Sequence, residues 1–301
     1  MSMILPNFIM IGAQKAGTTS MYNWLSQHHD IYAPFHLKDL PYFTTDLHQK
    51  GIDHYSQVFD TYKNQKIITA CETNAIFFDF TAKRIHDFNP NMKILLLVRN
   101  PVNRAFSAFN YALQRGLEDK SFKEAIHEEK NNLRDYNTHY QKAQRAYIDH
   151  GYYFKQLQPY IQTFPKENLF IGLAEDMRNN KEKIMTNICN FLEIDTAAKI
   201  KYTNKNKTYS AYHFDFINKI LNNEKTQQSS VLGSIFDMMP VAFSYKLKRK
   251  VYNILSALNQ KNTEITPMDE EDRQFLRDIY KEDAEQLSRL IDRDLVTLWL
   301  Q

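Results

Sequence analysis

Phe8-Ile9-Met10-Ile11-Gly12-Ala13-Gln14-Lys15-Ala16-Gly17-Thr18-Thr19 is the stretch on which the fold turns. Residues 8–11 are uniformly apolar, which suits a strand covered on both faces. Two glycines five apart then bracket a short loop. Ser20 to Gln27 follows as a helix, with Met21, Trp24 and Leu25 spaced for one apolar face. Strand, tight loop and helix in that order curl backbone N–H groups around one point, with the positive end of a helix dipole behind them. This is an anion site. A triphosphate-binding P-loop reads G-x-x-x-x-G-K-[ST]. Here Thr18 stands where that lysine would be, and a lysine appears inside the loop at Lys15. The cradle is kept and the charge is moved. Such a loop suits a donor with one phosphate and a neighbouring group to transfer, and suits a Mg-triphosphate poorly.

Outward from this stretch, strands and helices alternate. Ile67–Cys71, Lys93–Val98 and Leu169–Leu173 read as further strands. Between them lie helical patterns over Ser121–Asp135, Tyr152–Phe164 and Lys181–Leu192. Another is capped by Asn100, with Pro101 at its first position and Gly116 as its stop. That alternation predicts an α/β fold: a P-loop-type central parallel β-sheet flanked by helices, with a helical C-terminal region. The expectation is a single domain over 1–301, with a core over about 1–200 and a helical cover over about 210–301. The stretch Ser210–Asn262 shows no clear strand, and Met268–Trp299 reads as a long closing helix.

The bulk numbers exclude several classes. With 301 residues, 43% hydrophobic and 24% charged, the chain is an ordinary globular protein. A net charge of +3 is too small to argue for nucleic acid, yet it allows one local basic pocket. Two cysteines, Cys71 and Cys189, make no disulfide framework and no zinc spacing, so buried reduced thiols and no metal are expected. No run of 18 apolar residues occurs, so no stable membrane insertion is expected. A basic patch at Lys246, Lys248, Arg249 and Lys250 reads as part of the helical cover, with a membrane-surface helix as the alternative. The apolar start lacks a basic leading region, so no signal peptide is expected.

A second motif follows the strongest strand: Val98-Arg99-Asn100-Pro101-Val102-Asn103-Arg104-Ala105-Phe106-Ser107. Arg99 falls at the carboxyl end of that strand, where open α/β sheets bind ligands. Ser107 lies about two turns into the following helix, with Arg104 on the same side. A guanidinium fork and a hydroxyl at that edge make a second anion site.

Together the two motifs resemble the sulfotransferases that use 3′-phosphoadenosine-5′-phosphosulfate (PAPS). That family reads K-x-G-[ST]-[ST] in its loop, matched by Lys15-Ala16-Gly17-Thr18-Thr19. It reads R-[DN]-P-x-x-R-x-x-S after a later strand, matched by Arg99, Asn100, Pro101, Arg104 and Ser107. Tyr32–Phe43, Gly51–Tyr55, Glu72-Thr73-Asn74, Asp292–Leu295 and Trp299 are similar to stretches of its bacterial and heparan-sulfate-type branch.

The resemblance implies site residues. Lys15 would neutralise charge on the bridging oxygen of the donor. Gln14, Lys15, Ala16 and Gly17 with Thr18, Thr19 and Ser20 would cradle the 5′ end. Arg99 and Ser107 would hold the 3′-phosphate. The basic segment around Lys205, Asn206 and Lys207 would fold over the nucleotide. The family's acidic base is usually Glu where this chain has Asp39, and His36 is the reserve base. Thr73 replaces a lysine that positions heparan-type acceptors, which argues against such an acceptor. The expected reaction moves a sulfuryl group from PAPS to a hydroxyl or amine of a small-molecule acceptor in the cytoplasm, releasing 3′,5′-ADP. A carbohydrate or glycolipid acceptor is the alternative, and Tyr42, Phe43, Phe77, Phe78 and Tyr111 are expected near the site as aromatic walls that suit either. Two rivals stay open: a P-loop kinase or NTPase, and a non-catalytic nucleotide-binding module. Oligomeric state is not legible.

Overall fold

Five parallel strands lie side by side in the order β2-β3-β1-β4-β5 in the computed structural model. They are β1 (Phe8–Gly12), β2 (Ile31–Tyr32), β3 (Ile67–Cys71), β4 (Lys93–Val98) and β5 (Leu169–Leu173). The structure describes residues 3–136, 138–203, 210–212, 240–258, 260–262 and 267–301. Every residue of β1 and β3 is buried, as is β4 from Ile94 onward. These continuous apolar runs exist because helices cover both faces of a parallel sheet. The four longer strands were all legible in the sequence. β2 has only two residues, too few to show a period.

Register decides where the loops end up. Phe8 pairs with Thr69 of β3 on one side and Lys93 of β4 on the other. The carboxyl ends of three adjacent strands therefore open on one edge, at Gly12, Cys71 and Val98. Everything that matters below hangs from those three points.

The helices are α1 (Thr18–Leu25), α2 (Gly51–Ser56), α3 (Phe80–Phe88), α4 (Pro101–Gln114), α5 (Phe122–Lys130), α6 (His139–Arg145), α7 (Tyr153–Thr163), α8 (Ala174–Asn179) and α9 (Lys181–Leu192). Asn100 caps α4 by accepting the Asn103 N–H, and Pro101 takes the first position, as its sequence predicts. α5 begins with a reciprocal capping box between Ser121 and Glu124. It stops at Lys130, short of the Asp135 expected, and Asn132 then turns the chain at φ 54°. Ser121→Ala should cost about 1 kcal/mol in urea denaturation. An unchanged midpoint would show that the box contributes nothing.

The 115–151 segment folds over a second apolar cluster that includes Val102, Phe109, Phe122, Tyr147, Leu276 and Tyr280. Two buried carboxylates pin it. Glu118 pairs with Arg134 and Arg145 and accepts the Tyr147 hydroxyl at 2.8 Å. Glu129 accepts the N–H groups of Tyr147 and Asp149 at 2.6 and 2.9 Å, and burial lifts it to about 7.

The C-terminal region is helical, over Val241–Leu258, Glu270–Ile291 and Leu295–Leu300. The single closing helix expected from the sequence breaks at Asp292, whose φ of 53° ends it. The stretch read as strandless carries a small antiparallel pair at its ends, β6 (Ser210–Tyr212) with β7 (Gln260–Asn262). Three residues per strand leave no alternation to detect.

Candidate functional site

The loop after β1 is built by its glycines. Gly12 sits at φ 152°, and a Cβ there would lie 2.8 Å from Ile76 and 3.1 Å from the Thr73 carbonyl. Gly17 takes φ 93° at the N-cap of α1 and offers no side chain to the first-turn amides of Thr18, Thr19 and Ser20. A helix start left this way is suited to an anion. The Ala13 N–H donates to the Leu97 carbonyl at 2.7 Å, which ties the loop to β4. Gln14 is buried and donates to the Ala143 carbonyl at 3.2 Å, which ties it to α6. Gln14 thus supports the loop from behind. Ala16 is fully buried.

Lys15 is the residue this frame presents. Its backbone is left-handed at φ 67°. Its ammonium lies 4.3 Å from the centroid of the Tyr111 ring. Burial lowers its pKa to about 8, helped by the cations Arg99, Arg115 and Lys38. Lys15 thus stands among three other cations, one of them paired with Asp39, and that concentration of positive charge suits an anion.

The two sequence motifs meet. Arg99 donates through Nη1 to the Lys15 carbonyl at 3.2 Å. Its Nε is buried and has no hydrogen-bond partner among the described residues. The corner is braced from beneath: Tyr153 donates to the Arg99 carbonyl at 2.9 Å, and Asn100 donates to the Trp299 carbonyl at 2.6 Å. The conspicuous Asp292–Trp299 ending therefore serves the Arg99 corner, and Arg293 adds a two-pronged pair with Asp176 at 3.1 and 3.2 Å. Burial and the nearby Arg178 both lower the Arg99 pKa. Ser107 is half-buried on α4. Arg104, which the spacing placed with Ser107, is wholly buried and donates to the Tyr147 carbonyl. It props the 115–151 segment and is not offered to the cleft.

Asp39 lies at the end of β3, on the same edge. Its own N–H donates to the Cys71 carbonyl at 2.9 Å, and the Thr73 N–H donates to its carboxylate at 3.3 Å. Lys38, 4% exposed, pairs with that carboxylate. His36 faces elsewhere. Burial lowers its pKa first, with Lys246 adding to this and Asp60 opposing it. None of these neighbours is among the cations around Lys15. Glu72 is structural: it accepts the Phe43 and Thr44 N–H groups at 2.7 and 3.1 Å and fixes the segment that follows Asp39. Burial raises it to about 7.

Tyr42 and Phe43, read from the sequence as walls of the site, are core residues. Tyr42 stacks on Tyr55 at 3.9 Å, and Phe43 packs edge-on to Phe88. Phe77 stacks on His150 at 3.8 Å, with the Lys142 ammonium 5.8 Å from its ring. Lys205, Asn206 and Lys207 lie outside the described residues. Sequence reading missed Lys38, Arg115 and Arg178, and placed Tyr111 near the site only as an aromatic wall. Only Lys38 carried a signal, being the first residue of the acidic-base motif.

One cluster has the residue types of a metal site: His28, His29 and Asp30. Both ring nitrogens of His28 are already engaged, with the Asp195 carbonyl at 2.7 Å and the Asp30 N–H at 3.0 Å. That chemistry does not fit a metal ligand. Two open cavities, of about 260 and 640 Å³, lie along α9 and along the β5 edge, and neither is lined by Lys15, Arg99 or Asp39.

The chain is 26% identical over 255 residues to the bifunctional heparan sulfate N-deacetylase/N-sulfotransferase of Drosophila melanogaster, covering 74% of this chain and 23% of that protein. It is 36% identical over 134 residues to the membrane-associated sulfotransferase kil1 of Dictyostelium discoideum, covering 42% of this chain and 28% of that protein. The chain thus spans under a third of the length of these curated relatives. A sulfotransferase crystal structure from Alicyclobacillus acidocaldarius shares the fold, with a TM-score of 0.70 at 23% identity over 99% of this chain and 100% of that one. The sulfotransferase domain model matches residues 5–208, the span that holds β1 to β5, Lys15, Asp39 and Arg99, and on that match the chain belongs to the sulfotransferase domain family.

Proposed function

We propose that this chain transfers the sulfuryl group of PAPS to a hydroxyl or amine of an acceptor and releases 3′,5′-ADP. One observation carries the reading. Arg99 bonds to the Lys15 carbonyl, so two anion seats at the ends of adjacent strands share one edge of the sheet. The residues present fit such a donor: a glycine-built cradle, an unpartnered buried Nε on Arg99, and four cations around the loop. When bound, PAPS supplies an activated sulfuryl group on a phosphate leaving group.

This chain's own residues would do the rest. Lys15 and the loop amides face the oxygen on which charge develops as the sulfur–oxygen bond breaks, which is where electrostatic stabilisation has most effect. Arg99 and Ser107 hold the 3′ end and so set the register. Asp39 takes the proton from the acceptor oxygen or nitrogen as its bond to sulfur forms. Its Lys38 partner and the Thr73 N–H orient the carboxylate for that task.

For the acceptor, the relatives named for heparan sulfate favour a carbohydrate hydroxyl or amine over the small metabolite expected from the sequence. The experiment is direct. Calorimetry should show 3′,5′-ADP binding, and labelled PAPS should pass its label to members of a panel of sugars and small metabolites. Binding of Mg-ATP with none of 3′,5′-ADP would sink the donor. Binding without transfer to any acceptor would leave a nucleotide-binding module. Label on metabolites alone would return the acceptor to the small-molecule class.

A further inference from the structure

Three side chains of α4 stand four residues apart and line up along one side: Ser107, Tyr111 and, just past the helix end, Arg115. The Lys15 ammonium rests over the middle one, 4.3 Å from the Tyr111 ring centroid. Arg115 holds the same ring from its other end. Its Nη1 donates to the Tyr111 hydroxyl at 3.3 Å, and its guanidinium lies 5.3 Å from the ring centroid. Arg115 is itself only 8% exposed, and the same Nη1 reaches Gln144 at 3.5 Å. The ring is thus fixed in place under the catalytic ammonium.

We propose that Tyr111 is a positioning residue for Lys15, its ring face holding the ammonium at the mouth of the donor cleft. The need for such a residue follows from the charges. Among the described residues, the groups facing Lys15 are Arg99 from the end of β4, Arg115 from the end of α4 and Lys38 from the segment before β3, with Asp39 bound to Lys38. The three cations repel the ammonium and favour its neutral form. An aromatic face does the reverse, attracting the charged form through the ring quadrupole. It attracts the ammonium without competing for the donor's oxygens. A carboxylate in that place would have to be displaced by the incoming anion.

This inference rests on the donor reading for its catalytic meaning, but its geometric content does not. Donor-free protein with ¹³C-labelled lysine is therefore the first measurement, with Lys15→Arg identifying the Lys15 signal. In the wild type that signal should be shifted by the ring current, and Tyr111→Phe should preserve the shift. Tyr111→Leu should abolish it and move the Lys15 titration to lower pH by about half a unit, the size of an ordinary cation–π contact. In transfer assays Tyr111→Leu should lower kcat about 10-fold, with 3′,5′-ADP affinity within about 3-fold and Tyr111→Phe close to wild type. A Lys15 signal and titration unchanged by Tyr111→Leu would overturn the proposal. So would equal loss in the Phe and Leu variants, which a merely structural role of the side chain predicts. Failure of the wild type to use PAPS would remove the donor reading and leave the resonance result to decide the contact.

Discussion

Lys15→Ala is expected to lower kcat for sulfuryl transfer by about 10³-fold, while 3′,5′-ADP affinity changes by less than about 10-fold. The asymmetry is the point. The loop amides and Arg99 remain to hold the nucleotide, and only the charge aimed at the breaking bond is lost. The pH profile gives a second reading of the same residue. Burial and the surrounding cations place the Lys15 pKa at about 8, below the ordinary lysine value. The cation is present below that value and lost as pH rises through it. The rate at low donor concentration should therefore fall above about pH 8, and Lys15→Arg, which stays charged, should flatten that limb. Bound donor anions favour the charged form, so the limb at saturating donor should sit at higher pH. Activity in Lys15→Ala within 10-fold of wild type would end the assignment.

Arg99→Ala is expected to weaken 3′,5′-ADP about 10²- to 10³-fold, the scale of losing a charge-assisted two-pronged contact. 5′-AMP serves as the internal control. It lacks the 3′-phosphate, so its affinity should change by less than about 3-fold. Because Arg99 also bonds the Lys15 carbonyl, some loss of loop order is built into the variant. The control nucleotide registers that loss separately. Arg99→Lys should fail almost as badly, since a point charge cannot replace a planar fork. Equal weakening of both nucleotides would show that Arg99 holds the loop and not the 3′ end.

What could be read beforehand divides along physical lines. β1, β3, β4 and β5 were legible because parallel strands under helices must be apolar throughout, and that pattern is short-range. Lys15 and Arg99 were legible because each is fixed by chemistry local to one strand–helix junction. Tyr111 was read only as an aromatic near the site, and neither its contact with Lys15 nor Arg115 was legible. They enter the site only because α4 leaves the Arg99 corner at an angle that brings its third and fourth turns past the loop after β1. The four-residue spacing puts both on the side of Ser107 but does not encode the approach to Lys15. Tyr42 and Phe43 show the opposite error. Their closeness in sequence to Asp39 drew them towards the site, whereas Glu72 turns that segment inward by taking its two N–H groups. His36 sits three residues before Asp39 and yet faces Asp60 and Lys246, because the turn over Phe35–Leu37 rotates it away.

The hydrogen-bonded lattice of the sheet has one more effect. Gly12 and Val98 end neighbouring strands, so the distance between the two proposed anion seats is set by strand pitch, a quantity fixed by backbone geometry and indifferent to side-chain choice. The 115–151 cover obeys no such metric, since salt links and buried carboxylates hold it in place. Changes in that cover can therefore alter its shape without altering the spacing between the two strand ends.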